Sequence, residues 1–361
     1  GNESFYKLEN GKQLFYNQNT KTYEPIPGLD AFIILDNIRK EKTIWSNSES
    51  VLIDLGDGIL NFEFRSKMNS LGGGVLEGLN KSIDIAEKDY RGLVIGNQAE
   101  NFSVGANLAM VMMMAVEQDW YELNMAIAMF QQTSMKLRYS SIPVIAAPFG
   151  MTLGGGCEFS MHADKIVAAA ETYIGLVEVG VGLIPGGGGT KEFALRALKG
   201  TLPDDVKTNH LRNYFMNIAT AKVATSAHEA KQMGILTDKD IIVVNKDRQI
   251  AEAKRQAIVL DELGYTPPVP EKVKVLGNEA MGMFYVGTDQ MVAGGYASEH
   301  DRKIANKIGY VMTGGNLSEQ TEVSEQYLLD LEREAFLSLC GERKTLERIG
   351  GMLKTGKPVR N

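Results

Sequence analysis

The sequence predicts an α/β protein with a helical C-terminal region, on two observations. Short apolar runs, helical patterns and glycine turns alternate between about residues 50 and 160, the order of elements expected in α/β proteins. From residue 251 onward the pattern is mostly helical and is interrupted by Pro267-Pro268 and Gly314-Gly315. The composition, 44% hydrophobic and 23% charged, is ordinary for a globular protein.

The first 45 residues are expected to form a small module of their own. Two apolar runs flank Asn10-Gly11, a strong two-residue turn signal, so residues 5–16 are predicted to form a β-hairpin. Pro25 and Pro27 then interrupt the pattern, and residues 29–40 are expected to include a short helix.

The central elements follow in order along the chain. Residues 51–64 alternate between apolar and polar and turn at Gly56-Asp57-Gly58, which predicts a hairpin of half-buried strands. The other predicted elements are buried strands at 93–96 and 144–147, and helices at 72–87, 108–137, 226–236 and within 328–353.

Charge and cysteine content exclude several functional classes. A net charge of −7 argues against nucleic acid as a main partner. Cys157 and Cys340 are too few for a disulfide framework and fit a reducing compartment, so a cytoplasmic protein is expected, with an organelle matrix as the alternative. No apolar run approaches 18 residues, so no membrane span is expected. The chain begins with Gly1 rather than Met, which indicates processing or excision from a longer protein.

No metal or redox cofactor is predicted. The four histidines are scattered without metal-ligand spacing, and surface or capping roles are expected for them. Gly180-x-Gly182 is followed by Pro185 where a dinucleotide fingerprint needs its third glycine.

Two carboxylates stand in apolar, glycine-rich surroundings. Glu158 follows Gly154-Gly155-Gly156 at the start of a predicted helix, and Glu178 precedes a second glycine cluster at 186–189. A glycine run before a helix leaves N–H groups unpaired and forms an anion site; the alternative is a tight turn that needs glycine for close packing. The two glutamates together favour a functional site over a packing turn.

The stretch from residue 142 to 190 resembles the signature of the enoyl-CoA hydratase (crotonase) family. The Gly-Gly-Gly-Cys-Glu turn, the second Glu, the Ile-Pro-Gly and the Gly-Gly-Thr follow with the family's spacing, and Phe102 to Leu108 resembles the family's Phe-x-x-Gly-Ala-Asp-Leu loop. The resemblance implies a spiral of ββα units. It also implies a catalytic core at 46–245 and a helical C-terminal region at 246–361.

The resemblance further implies hydration of trans-2-enoyl-CoA in fatty-acid β-oxidation, which would make the protein a lyase. Glu158 would be the base toward water, and Glu178 would supply the proton to C2. The N–H groups of Ala106 and Gly155 would form the oxyanion hole. The implied substrate-binding residues are Ser66, Lys67, Met68, Gly105, Met112, Met113, Pro185 and Gly186.

Several alternatives stay open at this point. An enoyl-CoA isomerase or a non-catalytic hydratase-like scaffold is the alternative function. Met112 and Met113 either line an acyl pocket or pack in the core. Arg65 or Lys67 either holds the phosphate end of CoA or is a solvated charge. The expected partners are acyl-CoA, further copies of the chain, and fused or associated 3-hydroxyacyl-CoA dehydrogenase and thiolase.

The sequence departs from the family pattern at three points. Asn107 stands where Asp is common, Val177 replaces the usual Pro, and Gly187-Gly188 makes the last loop especially rich in glycine. None of these departures removes a catalytic group.

Overall fold

The computed structural model describes residues 4–9, 11–202 and 204–361, apart from the side chain of Asp30. The predicted N-terminal hairpin is present, and Tyr6 pairs with Phe15 across it. Asn10, in the predicted turn, lies outside the described residues. A third strand, not predicted, extends the hairpin to an antiparallel sheet of β1 (Tyr6–Glu9), β2 (Lys12–Asn17) and β3 (Thr22–Pro25). The α-helix expected at 29–40 begins only at Leu35 and forms α1 (Leu35–Lys42).

A seven-stranded sheet forms the centre of the fold, and a pair of parallel strands lies beside it. The strands of both are β4 (Thr43–Ser46), β5 (Ser50–Asp54), β6 (Ile59–Phe64), β7 (Gly92–Ile95), β8 (Val144–Ala146), β9 (Gly150–Leu153), β10 (Lys165–Ala169), β11 (Thr172–Gly175) and β12 (Ile241–Val243). The order in the large sheet is β12-β10-β8-β7-β6-β5-β4, antiparallel at the β4–β6 end and parallel elsewhere. β9 pairs with β11.

The hairpin of β5 and β6 is more buried than its alternating sequence predicts. Every residue of β6 is buried, including Asn61 and Glu63. Asn61 donates a hydrogen bond to the carbonyl of Gly96, and Glu63 accepts two from Arg39 at 2.8 Å each. The prediction of a half-buried strand was wrong because these polar side chains find partners inside the fold rather than in water.

Among the described residues, seven α-helices lie between the central strands. They are α2 (Gly73–Asp89), α3 (Leu108–Val116), α4 (Trp120–Arg138), α5 (Gly155–His162), α6 (Gly189–Leu198), α7 (Lys207–Ala219) and α8 (Ala227–Gln232). The prediction of a single long helix at 108–137 was wrong, because this stretch forms two helices, α3 and α4. Gln118 takes a left-handed conformation with φ of +58°, and Asp119 caps α4 by accepting a hydrogen bond from the N–H of Glu122.

The C-terminal region is helical, as predicted, with one small antiparallel strand pair. Its elements are α9 (Gln249–Glu262), β13 (Lys272–Val275), α10 (Gly277–Ala293), α11 (Glu299–Met312), β14 (Thr321–Ser324), α12 (Glu325–Cys340) and α13 (Arg343–Thr355). Helix α9 packs on β7, β8 and β10, whereas α12 packs on α4 and α6, and α13 packs on α3. The C-terminal helices therefore reach the region that holds Glu158 and Glu178. Within the described residues, no helix combines the length and the apolar character that a membrane crossing requires.

Candidate active site

Glu158 lies in the first turn of α5, at the carboxyl end of β9. Gly154, which precedes the helix, has φ of +53° and ψ of −120°, a conformation that favours glycine, and its N–H donates to the carbonyl of Gly175. A side-chain carbon at Gly154 would lie 2.9 Å from Oε1 of Glu178. The turn thus needs glycine for its backbone, and the same glycine leaves room for the second carboxylate.

The carboxylate of Glu158 is held by backbone amides of the second glycine cluster. Only 1% of Glu158 is exposed, and its Oε1 accepts hydrogen bonds from the N–H of Gly187 at 2.8 Å and of Gly189 at 2.7 Å. Side-chain carbons at Gly187 and Gly189 would lie 2.8 and 2.9 Å from the oxygens of Glu158. The glycines are required here because the backbone approaches the carboxylate so closely.

Glu178 begins a short 3-10 turn, Glu178–Val181, directly after β11. The residue is half-buried as a whole, but its Oε2 atom is buried and has no hydrogen-bond partner among the described residues. Such an oxygen is available to a proton, a water molecule or a substrate group.

Burial raises the pKa of both carboxyl groups. For Glu178 the loss of solvation outweighs the hydrogen bonds from its own N–H and from Val177, and with the charge of Glu332 it raises the pKa to about 7. For Glu158, burial and the charges of Glu178 and Glu332 raise the pKa well above its usual range, against the two amide donors. The two groups interact, so a proton bound near neutral pH belongs to the pair.

The N–H groups of Ala106 and Gly155, the predicted oxyanion donors, lie on neighbouring loops. Leu71 pairs with both sides of Ala106: its N–H donates to Gly105 at 2.8 Å, and its carbonyl accepts from Asn107 at 3.0 Å. In the described part of the chain, no acceptor is found for the N–H of Ala106. Gly155 is the first residue of α5, so its N–H has no acceptor within the helix.

Gly105 brings these two loops together. Its φ is +94°, and a side-chain carbon there would lie 3.0 Å from the carbonyl oxygen of Leu153 and 3.6 Å from the nitrogen of Gly155. A larger residue would separate the loops. The loops that carry the two N–H groups therefore lie against each other, and the role of these groups in an oxyanion hole stays a prediction.

Five of the predicted substrate-binding residues fall into two groups. Gly186 belongs to the second glycine cluster, and Pro185 packs against it, since a side-chain carbon at Gly189 would lie 2.9 Å from Cβ of Pro185. Ser66, Lys67 and Met68 precede Leu71, the residue that pairs with the Gly105 loop. Lys67 is exposed, and 61% of Met68 is exposed. This second group thus lies at the surface next to the predicted donors.

The methionines of α3 lie beside the C-terminal region, because α3 packs on α13. Met112 is half-buried and packs toward α13, since a side-chain carbon at Gly350 would lie 3.6 Å from its Cε atom. Met113 is 54% exposed. Arg65, a predicted CoA contact, is half exposed and lies 3.4 Å from Oε1 of Glu63.

Sequence reasoning missed Glu332, a third buried carboxylate at this site. It lies on α12 with none of its surface exposed, and it accepts hydrogen bonds from the N–H groups of Gly188 at 2.7 Å and of Thr190 at 2.8 Å. A signal was present in the sequence. Glu332 follows Leu328 by four residues and precedes Ala335 by three, which places it on the apolar face of the helix.

Sequence reasoning also missed a buried charged cluster behind Glu158. Lys191, fully buried, donates to Nε2 of His162 at 3.0 Å and to Glu325 at 2.8 Å, and lies 3.3 Å from Glu192. Glu192 is further paired with Arg138 and Arg196. The cluster joins α4, α5, α6 and α12, so it anchors the C-terminal region to the core.

His162 and His300 correct the expectation of surface histidines. They are 1% and 3% exposed. His162 Nδ1 lies 2.7 Å from the carbonyl oxygen of Glu158, and burial with the charge of Lys191 lowers its pKa well below its usual range. The ring is therefore neutral, donates from Nδ1 to Glu158 and accepts from Lys191. Among the described residues, no group of three or more His, Cys, Asp or Glu side chains could hold a metal ion.

Comparisons with known proteins agree with the predicted family. The sequence profile of a family described as "Enoyl-CoA hydratase/isomerase" matches residues 56–257. A relative from Bacillus subtilis (strain 168), named "Probable 3-hydroxyacyl-CoA dehydrogenase", is 47% identical over all of this chain and 45% of its own length. One from Rickettsia felis, named "Putative fatty acid oxidation complex trifunctional enzyme", is 29% identical over 88% of this chain and 41% of its own. The chain thus spans less than half the length of these relatives.

Solved structures of enoyl-CoA hydratases confirm the predicted fold. The enzyme from Bacillus halodurans aligns over 84% of this chain and 100% of its own, with a TM-score of 0.55 at 15% identity. The enzyme from Mycobacterium avium subsp. paratuberculosis K-10 aligns over 88% and 100%, with a TM-score of 0.55 at 16% identity. At such low identity the likeness concerns the fold alone.

Proposed function

Because the chain belongs to the enoyl-CoA hydratase/isomerase family, we propose that it hydrates trans-2-enoyl-CoA to 3-hydroxyacyl-CoA in fatty-acid β-oxidation. The observation that carries this proposal is the pair of interacting carboxyl groups, Glu158 and Glu178, both with raised pKa values. Addition of water requires one group that removes a proton from water and one that delivers a proton to carbon. A pair that shares one proton near neutral pH supplies both.

The proposed reaction proceeds by adding the elements of water across the C2–C3 double bond. Glu158, oriented by the amides of Gly187 and Gly189, takes a proton from water as the oxygen of that water bonds to C3. Glu178 delivers the proton that bonds to C2, and its Oε2, which has no hydrogen-bond partner in the part of the chain that the structure describes, is the atom free to do so. The negative charge that develops on the thioester oxygen is stabilised by the N–H groups of Ala106 and Gly155. One such donor typically contributes about 2.7–4 kcal/mol.

Two other functions predict different behaviour. A double-bond isomerase needs one carboxylate near the position of Glu178, and a scaffold needs neither. The burial of Glu158 with two dedicated amide donors favours hydration, because burying a carboxyl group without a function costs free energy. The product of hydration carries a hydroxyl group at C3, which a 3-hydroxyacyl-CoA dehydrogenase would oxidise. The dehydrogenase name of the Bacillus subtilis relative supports a fused or associated partner of this kind, and we propose that a thiolase acts after it.

The test is the hydration of crotonyl-CoA and of a long-chain enoyl-CoA by the purified chain. Glu158→Gln and Glu178→Gln should each lower kcat by at least about 10²-fold, while the affinity for acyl-CoA is kept. Glu171→Gln is a matched control, since it removes an exposed carboxylate between β10 and β11, and it should leave turnover unchanged. Near-normal hydration by either of the first two variants would contradict the proposal. Conversion of 3-enoyl-CoA that survives Glu158→Gln would instead identify an isomerase.

A further inference from the structure

Five consecutive residues at the start of α6 divide their backbone amides between two carboxylates. The N–H groups of Gly187 and Gly189 donate to Oε1 of Glu158. Those of Gly188, Thr190 and Lys191 donate to Glu332, at 2.7, 2.8 and 3.3 Å. The segment 187–191, here called the amide row, is thus held by one carboxylate from α5 and by another from α12.

The amide row has no cap of its own. The residue before α6 is Gly188, with φ of +102°, and a side-chain carbon there would lie 3.1 Å from the ring of His162. Glycine is therefore required, and it has no side chain to accept from the first amides of the helix. Glu332 accepts hydrogen bonds from the N–H groups of the second and third residues of α6, as an N-cap side chain usually does. Its negative charge is stabilising at a helix N-terminus.

Glu332 is itself fixed in place. Gln131 of α4 donates to the carbonyl of Leu329 at 2.9 Å and lies 3.4 Å from Oε1 of Glu332. Arg333 fixes the same Gln131 side chain by donating a hydrogen bond to its Oε1 at 2.9 Å. The position of Glu332, and with it the amide row, is therefore determined by α4 and α12 together.

We propose that Glu332 is a positioning residue for Glu158: from the C-terminal helix α12 it holds the row of amides that orients the catalytic carboxylate. The inference rests on the proposed hydration and assigns part of that site to the C-terminal region. Loss of Glu332 leaves three buried amides without an acceptor and frees the loop that fixes Glu158.

Burial raises the pKa of Glu332 itself, against the hydrogen bonds from the amide row and from Gln131, and the charge of its ionised form also acts on the pair. This charge raises the pKa of both Glu158 and Glu178. The other charges around it are already paired: Lys191 of α6 with Glu325, and Arg138 of α4 with Glu192. His162 of α5 is neutral. Removing the charge of Glu332 therefore lowers the pKa of the pair, and the shared proton is lost at a lower pH.

The first experiment measures kcat and KM of the whole chain against pH for Glu332→Gln. Glutamine has the same shape but no charge, and its NH₂ group would face the N–H groups of the amide row. We expect kcat to fall roughly tenfold or more, since small misplacements of a reacting group are costly, with KM nearly unchanged. The decline of activity on the alkaline side should begin at lower pH. Glu334→Gln is the control, because Glu334 is exposed two residues along α12 and should alter neither quantity.

A folded Glu332→Gln variant whose alkaline limb is unchanged overturns the proposal, whatever its kcat, because a purely structural role would not move that limb. If circular dichroism shows that this variant does not fold, Glu332→Asp decides: it keeps the charge but is one methylene shorter. A fall in kcat with an unmoved alkaline limb then supports the proposal, and a normal kcat overturns it.

An infrared measurement separates this proposal from the proposed function. The absorption of the protonated carboxyl group of the Glu158–Glu178 pair is assigned by its change in Glu158→Gln and in Glu178→Gln and is followed against pH without turnover. In Glu332→Gln it should disappear at lower pH than in the unchanged chain, and an unchanged titration would overturn the inference. If the unchanged chain hydrates no enoyl-CoA, the proposed function fails, and this titration still tests Glu332.

Discussion

Replacing Gly187 by alanine should displace Glu158 without removing any hydrogen-bonding group. The added carbon would lie 2.8 Å from Oε2 of Glu158 and 2.8 Å from Cζ of Phe130, at least about 0.7 Å inside an ordinary contact of 3.5 Å or more. Phe130 has little room to yield, because its ring packs edge-on against Phe159 at 4.9 Å between centroids. The carboxylate or the peptide that holds it must therefore move.

We expect kcat for enoyl-CoA hydration to fall by about 10²-fold, the loss associated with a displacement of about 1 Å. Overpacking of this kind should also lower the free energy of unfolding by about 1–3 kcal/mol. The assay follows the loss of the ultraviolet absorbance of the enoyl thioester, with denaturant unfolding in parallel.

Gly282→Ala is the matched control for this change. Gly282 lies in α10, is exposed and has no neighbour within 4 Å of an added carbon. Alanine should raise helix stability there by up to about 1 kcal/mol and leave kcat unchanged. The reasoning is refuted if folded Gly187→Ala keeps kcat within about twofold of the unchanged chain.

Two further predictions concern the surroundings of the site. Lys191→Met should lower the free energy of unfolding by about 3–5 kcal/mol, because it leaves the buried charge of Glu325 uncompensated. A denaturant titration should find this loss partly recovered when Glu325→Gln is added to the same chain. If the losses of the two single variants simply add in the double variant, the pairing is contradicted. Replacing Met112 and Met113 by Trp should weaken long-chain substrates, by about tenfold for every two methylenes excluded, and spare crotonyl-CoA. Equal losses of kcat/KM for both substrates would assign the two methionines to packing.

The local parts of the fold were predictable because short stretches of sequence determine them. The apolar run of β8 and the glycines before α5 identify a strand and a tight turn by themselves. The burial of β7, with all four residues inside, likewise follows from its composition. The spacing of Glu158 and Glu178 identified the family for the same reason.

The division of the predicted helix at 108–137 was not predictable from periodicity. Apolar residues resume directly after the short polar stretch Glu117-Gln118-Asp119, where the left-handed backbone of Gln118 and the capping carboxylate of Asp119 separate α3 from α4. Neither Gln nor Asp at that point is a strong helix-stop signal, since helix ends are usually indicated by glycine or proline.

Glu332 and Lys191 were missed because their partners are distant in sequence. Glu332 is 144 residues from Gly188, and Lys191 is 134 residues from Glu325. A charged residue on the apolar face of a helix signals a buried partner, but the sequence does not identify that partner. Periodicity could have shown that Glu332 is buried, whereas its contact with the amide row required the structure.

Because of these long-range contacts, the region that matches the family contains only part of the candidate site. The match covers residues 56–257, which include Glu158, Glu178 and the amide row. The groups that fix the amide row from behind, Glu332 and Glu325, lie beyond the end of the match. Because the segment whose amides orient Glu158 is also held by Glu332 of α12, the C-terminal region completes the site rather than merely covering it. A substitution on α12 can therefore alter the chemistry at Glu158 without contacting the substrate.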